Sequence, residues 1–129
     1  MTSLVWVELV DALAIHARVL SIHGGPDGIR DQALLGSALA RPHQLQAYSD
    51  GARLVHLAAA YTFGIVRNHP FVDGNKRTGF VVGVLFLELN GSAFIASEED
   101  AAQAVVQLAA GKLEESHYAD FLLRNSRKK

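Results

Sequence analysis

HPFVDGNKRTG, residues 69–79, places a histidine, an aspartate, an asparagine, a lysine and an arginine within nine residues. The two most apolar segments of the chain flank it, RLVHLAAAYTFGIVRN before and FVVGVLFLELN after. A dense polar cluster between two buried elements is not an incidental loop. It predicts two central helices that together present a site.

Each residue brings a definite chemistry. The residue before a proline is pushed out of the helical region, so a helix reaching Asn68 stops at His69 and leaves the imidazole at a loop mouth. Imidazole titrates near neutrality and suits removal of a proton from an attacking hydroxyl. Phe71 is the expected apolar peg, and Gly74 permits a positive φ angle. Asp73 can hold a divalent cation, since magnesium sites use few protein ligands plus substrate phosphates. Asn75 is expected to cap the following helix, whose first free N–H groups form an anion site. Lys76 and Arg77 then put positive charge against the helix dipole, which points to a compensating anion. Singly, each residue has an ordinary structural reading; clustered between buried elements, they read as proton acceptor, metal ligand and phosphate cradle. HExxH, GxxxxGK[ST] and the calcium-loop pattern are all absent.

The 129 residues fit a single domain, 1–129, half of them hydrophobic, and the net charge of −1 gives no reason to expect a nucleic acid or membrane partner. Without cysteine there is neither a disulfide framework nor a zinc–thiolate site, which fits a cytoplasmic protein. No signal peptide is expected, and the apolar run 80–87 is far too short to span a bilayer.

The pattern predicts an all-α chain. A first helix covers residues 6–22 and ends at Gly24-Gly25-Pro26, with His16 and His23 in core or surface roles. Asp31 caps a second helix that Pro42 ends, and Arg30 serves a structural pairing. Residues 42–52, PHQLQAYSDGA, show no helical period. The third helix, 53–68, is buried on nearly every side, with His56 a satisfied core histidine and Gly64 a point of close approach. FVVGVLFL would pass as a buried strand, but its flanks and length favour a helix 76–90, with Gly79 and Gly83 packed against the helix before. Ser97 opens a fifth helix ended by Gly111, and a sixth, 114–124, turns Tyr118, Phe121 and Leu122 inward ahead of a solvated basic tail.

HPFVDGNKR resembles the signature of the Fic/Doc superfamily, HxFx(D/E)GNxxR or HxFx(D/N)xNKR, and most of all its death-on-curing (Doc) branch. GIRDQALLGSALARP and LAAAYTFGIVRNHPFVDGNKRTG extend the likeness over roughly residues 4–125. The resemblance implies a helical bundle with a short extended flap at 42–52, where His43, Gln46 and Tyr48 either line a groove that aligns a target by strand addition or belong to an ordinary connection. It also implies ATP as substrate, Mg²⁺ on Asp73, His69 as proton acceptor, and Gly74, Asn75, Lys76 and Arg77 on phosphates. Fic proteins proper transfer AMP with a glycine after the motif asparagine and a second arginine; Lys76 and Phe80 stand at those positions. The Doc branch shares the lysine, binds nucleotide in the reverse sense and phosphorylates a protein, elongation factor Tu on a threonine, stopping translation. Such a toxin of a type II toxin–antitoxin system is restrained in trans by an antitoxin like the prevents-host-death family, and no inhibitory [S/T]xxxE[G/N] occurs in this chain. AMP transfer and a catalytically silent nucleotide- or antitoxin-binding module are the alternatives.

Overall fold

The computed structural model describes residues 3–49 and 51–129. Helices α1 (Leu9–His23), α2 (Gln32–Tyr48), α3 (Leu54–Asn68), α4 (Asn75–Leu89), α5 (Glu98–Ala109) and α6 (Glu115–Arg124) account for most of them, so the chain is an all-α bundle. α3 runs through its middle, with Leu57, Ala58, Ala59, Ala60, Tyr61 and Ile65 all buried. Among the described residues, no helix is long and apolar enough to cross a membrane.

Small residues let the central helices close on one another. A Cβ on Gly79 would stand 3.2 Å from the Thr62 carbonyl oxygen, and one on Gly83 would collide with the Thr62 hydroxyl and meet the Ala58 carbonyl oxygen at 3.0 Å. α4 therefore lies tightly along α3, as the spacing of the two glycines predicts. Gly64 does the same for α2, where a Cβ would stand 3.1 Å from the Ala38 Cα.

Several expectations need correction. The first helix starts at Leu9, not at residue 6, because the Tyr61 hydroxyl accepts from the Val7 N–H and donates to its carbonyl, at 3.0 and 3.1 Å. The Asn90 amide pairs likewise with both backbone groups of Val5, so residues 5–7 stay extended between the middle of α3 and the C-terminal end of α4. Burial of that phenol pushes its pKa up to about 12.

Pro42 does not end α2, which continues to Tyr48. A proline inside a helix costs about 3 kcal/mol or more. Here Leu35, Ala38, Leu39, Pro42 and Leu45 form one continuing stripe against the core, and His43 stacks on Trp6 with centroids 3.9 Å apart. Tertiary packing outweighs the local breaker. The flap expected at 42–52 is thus helical as far as Tyr48, and Asp50 lies outside the described residues.

His56 is half-buried and is no core histidine; its Nδ1 accepts from the Arg53 N–H and closes the start of α3. The basic tail is also tied down. Ser126–Lys128 (β2) pairs antiparallel with Ser92–Phe94 (β1), and Lys129 Nζ lies 2.7 Å from Glu88 Oε1. That contact, with a hydrogen bond from the Phe94 N–H, holds the Glu88 carboxyl below its usual range.

Candidate active site

The loop between α3 and α4 is anchored from inside by Phe71, which is fully buried as expected of the peg. Asn75, however, does not cap α4. Gly74 is the N-cap, in the left-handed region at φ 80°, and this turns the Asn75 side chain back into the loop. There its Nδ2 donates to the Phe71 carbonyl at 2.9 Å while its Oδ1 accepts from the Phe71 N–H at 3.0 Å. One amide thus satisfies both backbone groups of a buried residue. Leaving a buried donor or acceptor unpaired costs about 1–3 kcal/mol. Asn75→Ala is accordingly expected to lower unfolding stability by about 2 kcal/mol or more, read as a shift of the urea midpoint at constant m-value.

His69 is the one described non-glycine residue with positive φ, at φ 51°. It is the C-cap of α3, its N–H donates to the Ile65 carbonyl, and its side chain is exposed. Left-handed backbone at a non-glycine residue is costly and persists only where its surroundings enforce it. Arg30 supplies that enforcement: Nε donates to the His69 carbonyl at 2.7 Å and Nη2 to the Asn68 carbonyl at 2.8 Å. This is the structural pairing expected of Arg30, while Asp31 caps α2 through the Leu34 N–H.

The same segment runs extended along the loop. Arg30 and Asp31 N–H both donate to the Pro70 carbonyl, the Val72 N–H donates to the Gly28 carbonyl, and Ile29 and Phe71 form an antiparallel bridge. The extended strip beside the motif is therefore residues 28–31. His43 is stacked on Trp6, which in turn leans on Phe86 near the far end of α4. Gln46 and Tyr48 follow on the exposed side of the same helix, so none of the three flap candidates is brought to the loop.

From the other side, α1 supports the loop. His16 is buried, stacks flat on Phe71 with centroids 3.8 Å apart, and donates from Nε2 to the Asp73 carbonyl at 2.9 Å. Its role lies under the site, which the sequence pattern did not disclose. Gly25 packs against the Asp73 carboxylate so closely that any Cβ there would overlap it.

At the rim, the side chains of His69, Asp73, Lys76 and Arg77 are all exposed. The first backbone bond of α4 runs from the Thr78 N–H to the Gly74 carbonyl. The N–H groups of Asn75, Lys76 and Arg77 precede it and face out of the positive end of the helix. Anions are favoured at such an end, and two cationic side chains reinforce it. The ion pairs among the described residues, Arg41–Glu115 and Lys129–Glu88, leave Lys76 and Arg77 uncompensated. Asp73 offers one open carboxylate beside this cradle, which fits a magnesium ion whose other ligands are phosphate and water. Phe80 turns away and packs edge-on against Phe94 at 5.7 Å.

The sequence profile of the Fic/DOC family matches residues 6–87. The chain belongs to that family. It is similar to the protein kinase Doc of Escherichia phage P1, 32% identical over 114 residues that span 88% of this chain and 90% of the relative. It is also similar to the toxin Doc of Mycolicibacterium smegmatis, 46% identical over 70 residues, 53% of each chain. Both likenesses place it in the Doc branch.

Proposed function

We propose that this Fic/Doc chain is a Doc-like toxin that transfers the γ-phosphate of ATP to a protein hydroxyl, the threonine of elongation factor Tu being the favoured acceptor, and so arrests translation. The observation that carries this reading is the motif loop itself, which leaves His69, Asp73, Lys76 and Arg77 exposed and opens α4 with the free N–H groups of residues 75–77. In this reading His69 takes the proton of the acceptor hydroxyl, and the phosphates lie on the N–H groups of residues 75–77 with Lys76 and Arg77 on their oxygens. Asp73 holds Mg²⁺, which spreads the charge developing on the phosphate oxygens. Phosphoryl transfer needs little beyond such positioning and charge stabilisation. In this reading Lys76, standing where AMP transferases carry glycine, would fill space that their site leaves open, and Phe80, engaged with Phe94, offers nothing to a phosphate. These two positions favour γ- over α-phosphate chemistry.

As a toxin the chain needs an antitoxin partner. An antitoxin of the prevents-host-death kind fits the exposed apolar side chains of α1 and α4, Leu9, Val10 and Val81 among them. The acceptor would be aligned along the extended strip at residues 28–31, in place of the segment expected to serve.

The test uses ATP labelled on the α- or the γ-phosphate, in parallel, with Mg²⁺ and purified elongation factor Tu or a bacterial lysate. Label entering protein from the γ position alone is the expected result. Label from the α position identifies an AMP transferase, and binding of ATP without transfer of either label identifies a silent module.

A further inference from the structure

His16, Val19, Leu20 and His23 fall at successive helical spacings on one face of α1, and this face meets the motif at Phe71, Asp73, Gly74 and Arg77. His16 holds the Asp73 carbonyl, and the side chains of Val19 and Leu20 lie within 3.5 Å of where a Cβ on Gly74 would stand. At the end of the face, His23 Nε2 lies 3.3 Å from Arg77 Nη1. A guanidinium can only donate, so in this contact Nε2 is the acceptor and the ring's proton sits on Nδ1.

A carboxylate in this place would orient Arg77 but cancel its charge. A neutral imidazole orients it and leaves the full positive charge for an anion. One of the five guanidinium N–H groups is taken, and the rest of the fork stays free to grip phosphate oxygens. Arg77 is a long, exposed side chain whose rotamer freedom would otherwise be lost on binding. We propose that His23 is a positioning residue of the active site, holding Arg77 in its phosphate-gripping orientation without neutralising it. This rests on the reading of the motif loop as an ATP phosphate cradle.

The test compares ATP–Mg²⁺ binding by calorimetry, and KM and kcat for label transfer, in the parent, His23→Leu, His23→Gln, Arg77→Ala and the His23→Leu/Arg77→Ala double variant. His23→Leu is expected to weaken ATP binding about 3- to 10-fold, the order of one hydrogen bond, with an unchanged melting temperature because His23 is exposed. His23→Gln keeps an acceptor and is expected to restore most of the affinity. In the double variant the loss should equal that of Arg77→Ala alone, because His23 acts through Arg77. Losses that add, or a His23→Leu protein that binds like the parent while Arg77→Ala is weakened, would overturn the role of His23. If Arg77→Ala itself binds ATP like the parent, the cradle reading fails instead.

Discussion

His69→Ala is expected to slow phosphate transfer by about 10²–10⁴-fold, the contribution of a general base. The geometry confines the loss to chemistry. The side chain is exposed and the backbone at His69 is fixed by others, through Ile65 and Arg30. Removing the imidazole should therefore leave the fold and the ATP affinity close to those of the parent. Because the position is left-handed, His69→Asn is the better control for backbone strain, asparagine being tolerant of that region. Both variants should lose rate alike in initial-velocity measurements at saturating ATP. A His69→Ala protein as fast as the parent would remove His69 from the mechanism.

The second large effect concerns stability. Phe71→Ala is expected to cost about 3–5 kcal/mol, the range for truncating a buried phenylalanine. Phe71 is 0% exposed, its ring is sandwiched on His16, and its backbone is paired with Asn75. Truncation would leave His16 without its stacking partner as well as opening a cavity. Since a domain is stable by only about 5–15 kcal/mol, the change should be plain in urea denaturation followed by circular dichroism. Activity should fall with it, because the same ring fixes the loop that carries His69 and Asp73. A loss under about 1 kcal/mol would mean that the loop is held by its backbone bonds alone.

Much of this organisation could be read from the residues. The polar run between two apolar segments announced the helix–loop–helix, and Gly79 and Gly83 announced how closely its helices pack. What escaped was decided by partners distant in sequence. His16 and His23 look like any histidines on an amphipathic helix until residues some fifty places on are folded over them. Pro42 reads as a breaker, yet the apolar stripe of α2 runs straight through it. Asn75 is a good capping residue by type, but a left-handed Gly74 takes that position and turns the amide inward. The strands Ser92–Phe94 and Ser126–Lys128 are three residues each, too short to show a period.

The orientation of the nucleotide is the point on which the proposed activity turns. A structure of the chain with Mg²⁺ and a non-hydrolysable ATP analogue measures it directly. The expected result has the γ-phosphate beside His69, the phosphate oxygens on the N–H groups of residues 75–77 and on Arg77, and the metal on Asp73. An α-phosphate beside His69, with the γ-phosphate directed away, would contradict the kinase reading and make AMP transfer the chemistry of this site.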